Sequence, residues 1–147
     1  MAGYSGTPLA QKIGFKPGQR VAVLDAPDDL PTLLAPLPPG LALHARVAAG
    51  PPYDLIWVFV AEARKLTQRF ATLAPRLTAN GAFWVSWPKT SAGVATDVTE
   101  DVARAIGLKA GLVDVKVCAV DATWSGLKFV YRLKDRPRHG LRATRGR

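Results

Sequence analysis

Apolar residues fall along this chain in two kinds of run. Val21-Ala-Val-Leu24 and Leu55-Ile-Trp-Val-Phe-Val60 are apolar without a break, the pattern of strands covered on both faces. The second run is the stronger and predicts a central strand. Residues 41–47 read as a strand between these two, and Ala82-Phe-Trp-Val-Ser-Trp87 as a further one that stops at Pro88-Lys89. The chain behaves differently near its end. Segments 112–120 and 127–133 alternate, with Val113, Val115 and Val117 set against Asp114 and Lys116. That predicts half-exposed strands at a sheet periphery, and the short link 121–126 makes them a hairpin.

Helical spacing separates the strands. Thr7-Pro8 reads as a cap and first helical residue, so 8–13 is expected to be a short helix closed by Gly14. Lys16-Pro-Gly18 then turns the chain into the first strand. Residues 29–34 predict another short helix, ended by Pro36, Pro38 and Pro39. Leu66, Phe70, Leu73 and Leu77 lie on one helical stripe, with Lys65, Arg69 and Arg76 on a face expected to be solvated and Asn80-Gly81 as a left-handed exit. Asp97 and Glu100 have capping-box spacing before a helix whose buried face is marked by Val98, Val102 and Ile106.

Alternation of strand and helix implies an α/β fold of three layers, a Rossmann-like sandwich with a mainly parallel six-stranded sheet. The terminal hairpin must place one strand antiparallel. A domain over 1–133 is expected, followed by a tail over 134–147. In that tail six basic residues against the single acid Asp135 carry +5 of the chain's net +9, without apolar periodicity, so it reads as a flexible basic appendage.

Composition narrows the classes. With 147 residues, 48% of them hydrophobic, and four tryptophans, the chain can build a packed core. No apolar run reaches the ~18 residues of a membrane span, and the N-terminus has no basic-then-hydrophobic signal, so no membrane association and a cytoplasmic location are expected. One cysteine, Cys118, fits a reducing compartment, and one cysteine with two distant histidines speaks against a zinc site.

The order of elements from Val21 to Leu133 resembles a shortened class I methyltransferase domain. Asn80-Gly-Ala-Phe-Trp-Val-Ser-Trp-Pro-Lys89 is similar to that superfamily's glycine turn and fifth strand, and the closing hairpin to its sixth and seventh. More narrowly, Lys16-Pro-Gly-Gln19, Trp87-Pro-Lys89 and Trp124-Ser-Gly-Leu127 together resemble a family of small bacterial proteins known only as a domain of unknown function. The methyltransferase resemblance implies S-adenosylmethionine, held by a glycine loop after the first strand and an acid after the second. This chain has Asp25-Ala-Pro and Ala48-Ala-Gly at those places. A backbone free of Cβ atoms is what lets a cofactor approach such a turn, so neither cofactor nor catalytic residue carries over.

Ligands of open α/β sheets bind beyond the carboxyl ends of the parallel strands. The candidate rim there is Asp25, Glu62, Trp87, Lys89, Thr90, Ser91, Asp97, Asp121, Trp124 and Ser125, approached by Thr96, Glu100 and Asp101. Lys89 either pairs with Asp121 or Asp97 or contacts an anion. Trp87 and Trp124 form either core or an aromatic face. Ser91 and Ser125 have no nearby histidine, so a hydrolytic triad is not expected. These residues point first to a non-catalytic binding or scaffold protein whose partner is a protein or a small anionic ligand. A transferase-like enzyme with an atypical cofactor mode at the same rim is the alternative. Weak, nonspecific nucleic-acid association through the tail is a third reading.

Overall fold

The computed structural model describes residues 7–135. Its strands are β1 (Arg20–Leu24), β2 (Ala42–His44), β3 (Tyr53–Phe59), β4 (Leu77–Pro88), β5 (Leu112–Ala119) and β6 (Trp124–Tyr131). Of four α-helices, α1 (Leu9–Ile13) precedes the strands and α2 (Leu30–Leu34), α3 (Ala63–Leu73) and α4 (Glu100–Lys109) lie between them. One six-stranded sheet results, in the order β2-β1-β3-β4-β6-β5. The first four strands are mutually parallel, and β6 is antiparallel to both β4 and β5. The α/β Rossmann-like class expected from the alternation is therefore observed. The hairpin is not wholly peripheral, however, because β6 inserts between β4 and β5. Within the hairpin only β5 lies at an edge of the sheet, with Val115 and Val117 exposed.

Alternate strand residues feed two cores. Ala22, Ile56, Val58, Phe83, Val85, Leu127 and Phe129 pack under α3 and α4 through Leu66, Phe70, Leu73 and Ala103. Val21, Val23, Leu55, Trp57, Phe59 and Trp84 pack under α1 and α2 through Ile13, Leu30 and Leu34. The unbroken apolar runs of β1 and β3 thus have the reason anticipated for them, burial on both faces. Two indoles need partners there. Trp57 Nε1 donates to Ser86 Oγ at 2.8 Å, and Trp84 Nε1 donates to Ile13 O at 2.7 Å, which ties α1 to the sheet.

Several boundaries depart from expectation for physical reasons. Helix α3 stops at Leu73, a 3-10 turn follows at Ala74–Arg76 around Pro75, and Leu77 opens β4 instead of ending the helix. Asn80-Gly81 is not a left-handed exit but part of β4, where pairing with β3 slips between Tyr53↔Leu77 and Leu55↔Ala82. Glycine is needed at 81 because a Cβ would lie 2.7 Å from Leu77 Cδ1. Strand β2 spans Ala42–His44 only, at an edge. From it the chain returns to β3 through 45–52 without a helix. The carbonyls of that segment require donors. Arg20 supplies them to Ala49 and Pro51, and Arg76, expected to be solvated, supplies them to Gly50 and Pro51.

Helix α4 is capped by Thr99, whose Oγ1 accepts from Val102 N at 3.2 Å, and Glu100 pairs with Arg104. Its buried face is made by Ala103 and Gly107, while Val102 and Ile106 are only half-buried. Strand β6 begins at Trp124, three residues before the expected start at Leu127. All of the tail beyond Asp135 lies outside the described residues.

Close contact between α4 and β6 yields a test. A Cβ at Gly107 would stand 2.2 Å from Phe129 Cε2, a fully buried ring. Gly107→Ala is therefore expected to destabilise the fold by roughly 1–3 kcal/mol through overpacking, despite alanine's better helix propensity. A urea titration should show a lower midpoint with an unchanged slope.

Candidate functional site

The turn after β1 sets the character of the carboxyl-end rim. Asp25 adopts a left-handed backbone, φ 58°, the one described non-glycine residue that does. Its carboxylate does not cap α2. Instead it accepts from Arg69 at 2.6 Å and lies 3.3 Å from Lys65 Nζ, both on α3. The two cations expected to be solvated are thus engaged. Partial burial pushes the Asp25 carboxyl up, but the bonds and charges of Arg69 and Lys65 outweigh it and hold the group below its ordinary range.

A second brace closes the end of β3. Thr96 Oγ1 donates to Ala61 O at 2.7 Å, and Asp97 Oδ1 accepts from Ala63 N at 2.7 Å. Asp97 therefore caps α3, across the chain, and not the α4 that its spacing with Glu100 predicts. Glu62 is exposed and meets only Arg64, at 3.6 Å. Asp101 turns to Arg104, which also holds Glu100 and Asp114.

At the end of β4, Lys89 N donates to Thr123 O, and its Nζ donates at 2.6 Å to the backbone carbonyl of Asp121. The expected pairing with Asp121 is real, but through the main chain. The Asp121 carboxylate is used locally, accepting from Thr123 N and Trp124 N at 2.8 Å each. Trp87 is buried, and Trp124 is half-buried with its ring edge-on to Phe59 at 5.1 Å. Both tryptophans are thus packing residues before they are anything else.

Beside them opens a cavity of about 390 Å³ between the end of β4, the start of β6 and the segment leading into α4. Of the rim residues, Trp87, Lys89, Thr90 and Ser125 line it, as do Thr96 and Glu100. Asp25, Glu62, Ser91, Asp97, Asp121 and Trp124 do not. Pro88 also lines it, and Val94, Val98 and Thr99 complete the wall; these three were not anticipated as site residues, since a valine or a helix cap carries no chemical signature in sequence. A larger hollow of about 530 Å³ lies between the carboxyl-terminal halves of α3 and α4, among Phe70, Ala71, Ala74 and Ile106. It is remote from the rim. The Tyr131 hydroxyl there donates to Ala74 O, and burial raises its pKa to about 12.

Other candidate groups are engaged elsewhere. His44 Nδ1 lies 2.5 Å from the Tyr53 hydroxyl. Burial raises the Cys118 thiol, which Lys12 and Lys116 partly counter. Among the described residues no group of three or more His, Cys, Asp or Glu is placed to hold a metal, and no helix is long and apolar enough to cross a membrane.

No family model matches the chain, and no curated protein matches it in sequence. Solved structures do. A SAM-dependent methyltransferase from Aquifex aeolicus aligns with TM-score 0.61 at 12% identity, over 81% of this chain and 85% of its own. The Methanococcus jannaschii fibrillarin pre-rRNA processing protein aligns with TM-score 0.59 at 11% identity, over 85% and 69%. Aeropyrum pernix fibrillarin, solved with natively bound S-adenosyl-L-methionine, aligns with TM-score 0.57 at 14% identity, over 87% and 70%. The chain therefore has the methyltransferase-like form of the Rossmann fold. At such identities the likeness establishes the fold and nothing about activity.

That fold implies S-adenosylmethionine, and the residues here do not fit it. The turn after β1 commits its carboxylate to α3, continues through Pro27, and enters a five-residue α2 whose first turn contains Pro31 and so lacks an amide donor. Beyond β2 the chain reads Ala45-Arg46, with no acid for ribose hydroxyls.

The Asp25 bonds make a pH prediction. Because the folded pKa lies below the unfolded value of 3.8, their stabilisation is present above about pH 4 and disappears as pH falls through the folded value. Asp25→Asn keeps the backbone conformation and loses the charge. It should cost roughly 1 kcal/mol or less at pH 7, since the pair is half-exposed, and less near pH 2. Paired urea titrations at the two pH values measure the difference.

Proposed function

We propose that this chain is a non-catalytic binding domain on a methyltransferase-like scaffold, taking a small polar or anionic ligand in the cavity at the end of β4. The observation that carries the reading is the Asp25 carboxylate held by Arg69 and Lys65. That pairing fills the turn where the fold would otherwise receive a cofactor, using side chains of the protein itself.

The cavity supplies the positive half of the argument. Its volume lies within the range of small-ligand sites. Lys89 is its one cation, and the ammonium has donors left after bonding to the Asp121 carbonyl. Glu100, the one acid in the wall, is drawn off by Arg104. Hydroxyls of Thr90 and Ser125 add hydrogen-bonding capacity beside the apolar flank of Trp87, Val94 and Val98. Such a wall suits a compact ligand with an anionic or hydroxyl-rich end. An enzyme at the same place remains the second reading, favoured by the concavity itself, because a pure protein-docking face would more naturally leave its tryptophans exposed.

Two measurements separate these readings. Calorimetry with S-adenosylmethionine should give a dissociation constant weaker than about 1 mM, only ~4 kcal/mol of binding; saturable micromolar binding would overturn the proposal. Native mass spectrometry and thermal-shift screening should identify a retained small molecule that stabilises the fold by linkage. Lys89→Ala should weaken that molecule at least tenfold while leaving the unliganded melting temperature within a few degrees of wild type. Unchanged affinity would remove Lys89 from the site, and turnover of the retained molecule would establish the enzyme reading instead.

A further inference from the structure

Four lysines from three stretches of chain, Lys12 and Lys16 around α1, Lys116 of β5 and Lys128 of β6, meet on the α1 side of the β5–β6 pair. Lys116 and Lys128 are directly opposed across the two strands. Lys128 also opposes Trp84 of β4, whose ring packs in the core beneath α1, which fixes the face on which these side chains leave the sheet. Lys116 Nζ donates to Lys12 O at 3.1 Å, and Lys12 Nζ donates to Ala119 O at 3.2 Å, so both lie against the α1–β5 seam. Lys16 completes the group. Burial first, and then the charges of Lys116 and Lys16, lower the pKa of Lys128.

Among the described residues no salt bridge engages these four lysines, and Asp114, the acid of β5, is bonded to Arg104 on the α4 side. Like charges opposed across a strand pair repel, and surfaces normally intersperse both signs to relieve this. An external polyanion would relieve it here. We propose that the α1 side of the β5–β6 edge binds the phosphate backbone of a nucleic acid.

The chemistry favours that partner over a bilayer. Lysine ammoniums act as point charges that fit individual phosphates. An interfacial membrane anchor needs tryptophan, phenylalanine or leucine beside its cations. The exposed large apolar residues of β5 are two short valines, Val115 and Val117. The ring that opposes Lys128, Trp84, is fully buried and gives bases no stacking surface, so recognition is indifferent to sequence. This site is separate from the cavity of the preceding section and independent of its ligand.

Fluorescence anisotropy of the full-length protein on a random-sequence duplex tests it. Four phosphate contacts give a logarithmic salt slope of about −3.6, a loss of about 150-fold between roughly 50 and 200 mM salt, to which the basic tail can only add. The double variant Lys16→Glu/Lys116→Glu should weaken binding at least tenfold at the lower salt and reduce the slope by about 2. Lys16→Arg/Lys116→Arg should bind like wild type. The Lys16→Ala/Lys116→Ala pair serves if circular dichroism shows the glutamate variant misfolded. Binding that is unaltered in a folded variant overturns the proposal, because affinity would then reside in the tail. So does absence of duplex binding at the lower salt, or binding to anionic phospholipid vesicles without binding to duplex.

Discussion

The structure depends on the two-sided burial of the β3–β4 pair. Trp57, Val58, Trp84 and Val85 are inaccessible, and adjacent residues of each strand point into different cores. Such strands cannot slip by one residue without exchanging the contents of both faces. Polar links reinforce the register. The Trp57 indole finds Ser86 on the neighbouring strand, and the Trp84 indole finds the last turn of α1. Ser86, the one buried polar residue of the described core, is there to receive an indole proton. With that pair in place, β1 and β6 can dock only on its two outer edges, and helices on either face follow.

Around this centre the elements that follow β1 are short. Strand β2 is three residues long, α2 is five, and the return to β3 uses no helix. Each economy leaves backbone or charge to be satisfied, and arginines do it. Arg20 and Arg76 bind the carbonyls of the 49–51 bend and stand over the Tyr53 ring, at 4.3 and 5.7 Å. Arg69 takes the Asp25 carboxylate. The rim of the sheet is therefore braced internally at β1 and β3 and open beyond β4, with a second hollow beyond β2 among His44, Ala45, Arg46 and Ala48. That asymmetry underlies the proposal of a ligand site displaced from the usual crevice of the fold.

Electrostatics is distributed with the same unevenness. Acids cluster around Arg104 on α4 and at the rim turns, while the lysines on the α1 side of β5 and β6 form no salt bridge among the described residues. A net charge of +9 says nothing of this arrangement. It arises because cross-strand pairing sets Lys116 against Lys128 and because α1 crosses the sheet close to both.

Local order was legible in the chain. Continuous apolar runs marked the doubly buried strands, alternation marked β5, and Gly14 closed α1 with φ 99°, because these features depend on a residue and its near neighbours. The missing glycine after Leu24 likewise marked a turn unlike the methyltransferase pattern, and Asp25 there takes a left-handed backbone. What sequence could not assign was the long-range use of a side chain. Leu77 continued a helical stripe yet opens a strand, since Pro75 ends the helix and β3 recruits the residues beyond. Asp97 had the spacing to cap its own helix yet caps α3, because the 96–97 segment folds back onto the end of β3. Lys89 and Asp121 do meet, but through a carbonyl, and the cavity wall draws on Val94, Val98 and Thr99, residues without reactive groups. Sequence by itself determined which segments form layers, through periodicity. Tertiary structure alone decided which polar groups face one another, since that depends on where distant strands bring their ends.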